Sequence, residues 1–136
     1  MRIDSERFKA RLRADLAPES CRYLLQMLPY SRKLVHARWS GEAMWSPLGE
    51  ASPRGALLHP ENARHQPRPG EVLLYAGTLS EPELLIPYGA SRFACKDGPL
   101  EGNPVMTIED GVGRLAEIGS QVLWKGAKEL RIEVSP

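Results

Sequence analysis

From Arg7 to Ala14 the chain alternates in steps of one. Arg7, Lys9, Arg11 and Arg13 fall on one side, and Phe8, Ala10, Leu12 and Ala14 on the other. A period of two predicts a strand with one buried and one wet face. The alternation ends at Leu16, and Pro18-Glu19-Ser20 opens a helix, with proline at a tolerated early position and an acid set against the positive end of the helix dipole. Cys21, Leu24, Leu25 and Leu28 follow at helical spacing, a stripe fit to lie on a sheet or close a barrel end, and Pro29 stops it. Leu34, Val35, Ala37 and Trp39 predict a strand, Ser40-Gly41 a turn, and Ala43-Met44-Trp45 its hairpin partner. Residues 47–70 carry many Pro, Gly, His and Arg and no period, which predicts a long surface loop of the kind that often carries function.

Glu71-Val72-Leu73-Leu74-Tyr75 and Leu84-Leu85-Ile86-Pro87-Tyr88 predict two strands buried on both faces or set in a barrel wall. A loop through Ser91-Arg92-Phe93, Lys96-Asp97-Gly98 and Gly102-Asn103 leads to a strand at Val105-Met106-Thr107-Ile108. Gly113 to Ile118 predicts one or two helical turns closed by Gly119, and Val122-Leu123-Trp124 and Leu130 to Val134 predict two final strands. Many strands and little helix do not suit a doubly wound sheet. The expectation is a mainly β fold, a small closed barrel with one helix in the N-terminal half and a short late one.

A chain of 136 residues has the length of one domain, so 1–136 is read as a single unit. With 18 Lys+Arg against 17 Asp+Glu, the net charge of +1 points to neither nucleic acid nor an acidic membrane. The cationic alternation at the N-terminus is either a solvated strand face or an anion-binding surface. Cys21 and Cys95 lie far apart with no paired spacing, which suggests reduced thiols. No apolar run suits a signal peptide or a membrane span, so a cytoplasmic protein with no membrane partner is expected.

The element order is similar to that of cyclophilins. More narrowly, Ala37-Arg38-Trp39-Ser40-Gly41-Glu42-Ala43-Met44-Trp45, Glu61-Asn62-Ala63, Pro69-Gly70-Glu71, Tyr88-Gly89, Ser91-Arg92-Phe93 and Gly102-Asn103-Pro104 resemble a bacterial family of uncharacterised proteins with a cyclophilin-like fold. The resemblance runs along nearly the whole chain and implies a cyclophilin-like barrel. Cyclophilins are peptidyl-prolyl isomerases with a Phe-His-Arg motif on the strand after the helix. Here that region reads Val35-His36-Ala37-Arg38-Trp39, which keeps an arginine and loses the order; the Gly-Phe-Met and Gln-Gly-Gly-Asp elements of the cyclophilin groove are missing.

Two arginines stand out as candidate ligand contacts. Prolyl isomerisation needs an apolar pocket and one cationic donor, a part Arg38 can fill, and Trp39, Trp45, Tyr75, Tyr88 and Phe93 are either walls of a site or core. Arg92, beside Ser91, either grips a carboxylate in two-point contact or enters an internal ion pair with Glu42 or Glu61. His36, His59 and His65 lack metal-ligand spacing, so no metal and no cofactor are expected; His36 is read as lying on the polar side of its strand, and His59 and His65 as candidates for a pocket mouth. Gly111-Val112-Gly113-Arg114-Leu115-Ala116 matches a nucleotide fingerprint in form, but a helix ending at Gly119 is too short for a crossover. The expected function is binding of a small carboxylate-bearing molecule or peptide; the alternatives are prolyl isomerisation through Arg38 and a homo-oligomer assembled through exposed aromatics.

Overall fold

The computed structural model describes residues 1–52 and 57–135. Its elements in chain order are β1 (Arg2–Ile3), β2 (Glu6–Arg7), β3 (Lys9–Leu12), α1 (Pro18–Leu25), β4 (Tyr30–His36), β5 (Gly41–Pro47), β6 (Glu71–Tyr75), β7 (Glu83–Ser91), β8 (Ala94–Cys95), β9 (Gly98–Pro99), β10 (Asn103–Asp110), α2 (Leu115–Lys125) and β11 (Lys128–Ile132). Short 3₁₀ turns occupy Arg38–Ser40, Gly49–Ala51 and Val112–Arg114.

Nine strands form one sheet in the order β2-β1-β11-β4-β5-β7-β6-β10-β3, and β8 pairs with β9 in a small separate hairpin. The sheet curls into a nearly closed barrel, since β2 and β3 stand at its two ends yet are neighbours in the chain with only Phe8 between them. Pairing is antiparallel at each described strand contact, as in Val35 against Trp45 and Leu73 against Leu85. This excludes the parallel crossover that a dinucleotide fingerprint requires. The expected mainly β barrel with two helices is what the chain forms.

Alternate residues of the central strands feed two apolar clusters. Leu34, Met44, Leu74, Leu84, Ile86 and Ile108 point inward with Leu24 of α1 and with Ile118 and Val122 of α2. Ala43, Leu73, Tyr75 and Leu85 point outward and are covered by Phe93 and Leu100. Burial on both faces is why these strands read as continuous apolar runs rather than alternations.

Four expectations are corrected. The late helix does not stop at Gly119; α2 runs through it to Lys125 and takes in Val122-Leu123-Trp124, expected as a strand. Its cap is Gly126, at φ +104. Gly119 is glycine for a packing reason, because a Cβ there would come within 2.3 Å of the Tyr88 ring. The fingerprint therefore fails on strand direction rather than on helix length. In α1, Leu25 is 45% exposed and Tyr23 is buried in its place, held by a 2.6 Å hydrogen bond between its hydroxyl and that of Ser52. Trp39 lies on the turn after β4 rather than in the strand. The loop through residue 96 contains the β8–β9 hairpin.

The stretch read as the 47–70 loop is fixed at several points. Glu61 accepts the main-chain N–H groups of Glu19 and Ser20 at 3.0 and 2.8 Å, which caps α1 from outside because Ala17 at its start has no side chain able to do so. Asn103, on β10, donates to Ser20 Oγ at 2.8 Å and the His59 carbonyl at 2.9 Å, and accepts from Glu61 N–H at 2.9 Å. Arg64 bridges to Gly102. Residues 53–56 of that expected loop lie outside the described residues.

No helix among the described residues is long and apolar enough to cross a membrane.

Candidate functional site

The hairpin turn and the Ser91-Arg92-Phe93 segment meet at one end of the barrel. Gly41 pairs with Ser91, and the Arg92 N–H donates to the Ser40 carbonyl at 2.9 Å. The buried Ser40 hydroxyl accepts from Ala94 N–H at 3.0 Å and donates to the Ala94 carbonyl at 3.2 Å. The chain can pass this closely because residue 41 is glycine: φ is +90, and a Cβ would lie 2.9 Å from the Ala90 carbonyl oxygen. Arg38, Trp39 and Arg92 are all exposed on these two segments, Trp39 by 70%. Neither arginine has an acidic partner among the described residues.

Beneath the turn, His36 Nε2 and the Tyr88 hydroxyl are 2.7 Å apart, with the rings edge-on at 5.7 Å. Burial, and then the nearby Arg38 charge, holds the His36 pKa below its ordinary value, so the imidazole is neutral near pH 7. Burial and the Glu42 carboxylate push the Tyr88 pKa up, so the phenol stays protonated. Glu42 itself accepts the Ala90 N–H at 3.0 Å, in space left by Gly89. Two buried polar atoms here have no partner: His36 Nδ1 and Ser91 Oγ. In either tautomer Nδ1 is left with unused hydrogen-bonding capacity, which is uncommon for a buried polar atom. His36 was expected on the polar side of β4, and the structure instead half buries it against Tyr88.

Three of the other expected site residues pack into apolar core. Trp45, Tyr75 and Phe93 belong to the outer apolar cluster, with the Tyr75 and Phe93 rings edge-on at 5.9 Å. The Tyr75 hydroxyl accepts from Leu79 and Ser80 N–H, pinning the turn that follows β6. Glu42 and Glu61, considered as partners of Arg92, are committed to Ala90 and to the start of α1. His65 Nδ1 meets the Leu100 carbonyl at 3.0 Å, whereas His59 lines a cavity of about 260 Å³ with Tyr23, Leu57, Leu58 and Glu61.

A larger groove, about 810 Å³, follows the unclosed seam of the barrel between β3 and the residues just past β11, with Leu24, Leu25 and Leu28 along it. Arg7, Lys9 and Arg11, read from the sequence as either a solvated strand face or an anion-binding surface, line it. No cluster of three His, Cys, Asp or Glu residues able to hold a metal occurs among the described residues.

Comparison with known proteins gives a family and a fold. Residues 2–134 match a family described as "Protein of unknown function (DUF3830)", and the chain belongs to it. No curated protein sequence matches the chain. Among solved structures it is similar to "Structure of McbB in complex with tryptophan", at 20% identity and a TM-score of 0.67 over 95% of this chain. The chain spans 42% of that structure's chain, and the likeness is one of fold.

Proposed function

We propose that this member of the family is a ligand-binding domain of cyclophilin-like fold, holding a small carboxylate-bearing molecule or a peptide end where the Arg38–Ser40 turn meets the Ser91-Arg92-Phe93 loop. The observation that carries this reading is the pair Arg38 and Arg92, exposed and without an acid among the described residues, on segments tied together by the Arg92 N–H to Ser40 hydrogen bond. A guanidinium offers a carboxylate two parallel hydrogen bonds, and two of them supply a strong anion site. The exposed Trp39 ring adds a flat apolar surface, and His36 Nδ1 on β4 and Ser91 Oγ on β7 are buried without a partner on the strands that lead into these segments. Tyr88 positions His36, while Trp45, Tyr75 and Phe93 form the apolar backing of the loop. Because McbB, similar in fold, is in complex with tryptophan, an aromatic amino acid is the first ligand to try.

The test is calorimetric titration with tryptophan, then with small mono- and dicarboxylates and short peptides. A saturable heat that weakens about tenfold or more, roughly 1.4 kcal/mol, in Arg92→Ala and Arg38→Ala is expected. No saturable heat up to about 1 mM, the level of a ligand bound by only ~4 kcal/mol, would overturn the reading. So would an affinity unchanged in both variants. Acceleration of Xaa-Pro cis/trans exchange that disappears in Arg38→Ala would replace it with prolyl isomerisation.

A further inference from the structure

The sheet is unclosed along β3. That strand pairs with β10 on one side and with no other strand among the described residues. Arg13 N–H donates to the Val105 carbonyl, so residues in phase with Arg13 turn their main chain toward β10. Ala10 and Leu12, out of phase, direct their N–H and C=O groups into the seam. The groove there carries apolar side chains that the fold leaves uncovered, Leu25 at 45% exposure and Val134 at 70%.

Its charge is lopsided. Five cationic residues line it, Arg2, Arg7, Lys9, Arg11 and Arg131, against the two acids Asp110 and Glu133. Arg11 and Arg131 are paired with Glu109 and Glu133, whereas Arg2, Arg7 and Lys9 have no ion pair among the described residues. The same charges discourage a second copy of the chain, because antiparallel pairing of two β3 edges would bring Lys9 and Arg11 against their like. A strand bearing carboxylates meets the opposite situation.

We propose that the seam is a strand-acceptor site for an extended acidic peptide. The peptide pairs with the free main-chain groups of Ala10 and Leu12, sets aliphatic side chains on Leu24, Leu25 and Leu28, and places carboxylates near Arg2, Arg7 and Lys9. The groove's volume of about 810 Å³ falls within the size range of ligand sites. This site is separate from the Arg38 and Arg92 end, and either can fail without the other.

The test is fluorescence anisotropy of the full chain with a fluorescein-labelled peptide of alternating Glu and Val, about eight residues long to exceed the ~13 Å that four strand residues span. Saturable binding is expected, weakened about tenfold or more by Lys9→Glu and in a Lys/Val peptide. N-methylation of alternate peptide amides should abolish binding in one register and spare it in the other, because only one set of N–H groups faces β3. Arg38→Ala and Arg92→Ala should bind this peptide as the parent does. Equal binding by both N-methylated peptides, no effect of Lys9→Glu, or no saturation would overturn the proposal. A dimer in sedimentation that Lys9→Glu disrupts would also overturn it, assigning the seam to a second copy.

Discussion

The Tyr88 ring rests on the backbone of α2 at Gly119, where a Cβ would sit 2.3 Å from two of its ring carbons. The helix thereby fixes the phenol whose hydroxyl meets His36.

Gly119→Ala is expected to destabilise the protein. Helix propensity favours alanine by about 1 kcal/mol, but displacing a packed ring costs typically about 1–3 kcal/mol, and with so short an approach the steric term wins. In a Tyr88→Ala background the same substitution should be neutral or stabilising. Urea unfolding of the two single variants and the double variant gives the coupling directly.

Glu61 should matter to α1 although 41 residues separate it from Ser20. Burial alone would raise its pKa, but the hydrogen bonds from Ser20 and Glu19 outweigh that and leave it below its ordinary value. Glu61→Ala is expected to cost about 1–2 kcal/mol at neutral pH, and Glu61→Gln less. Because the folded pKa is depressed, the stabilisation is present above about pH 4.5, the unfolded value, and is lost as pH falls through the folded one. Unfolding curves of parent and Glu61→Ala should therefore converge in acid.

Glu83 behaves in the opposite sense. It is 6% exposed, and burial, with a contribution from Glu81, pushes its pKa up to about 8. The folded state holds a proton that the unfolded chain releases near pH 4.5, so stability is lost as pH rises from there to about 8. Glu83→Gln should remove this loss, leaving the variant the more stable of the two by up to a few kcal/mol at pH 8–9. Thermal unfolding at pH 5 and pH 9 checks it.

Local pattern makes most of the barrel legible. The hairpin of β4 and β5 is readable because Val35 and Trp45 flank a Ser40-Gly41 turn. The late helix departs from it because a glycine near a helix end usually marks a left-handed cap, whereas Gly119 serves a ring that arrives from β7. His36 and Tyr88 are 52 residues apart, and no spacing within either strand announces their hydrogen bond. Glu61 is likewise invisible as a cap, since sequence reasoning looks for capping side chains beside the helix they serve. The seam groove is made by strands from both ends of the chain, and only its charged wall leaves a periodic trace.

Phe8 is the one residue between the two ends of the sheet, and it is anchored there: its N–H and carbonyl are both bonded to Met1, at 2.8 and 3.1 Å, and its ring lies under the Arg114 guanidinium at 4.6 Å. The opening in the barrel wall thus begins at a covalent joint between β2 and β3. One residue spans only about 3.5 Å, so β2 and β3 cannot part at Phe8, and the groove lies beyond that joint, between β3 and the residues just past β11. The groove therefore has a fixed end at Phe8 and Met1, which gives it a direction.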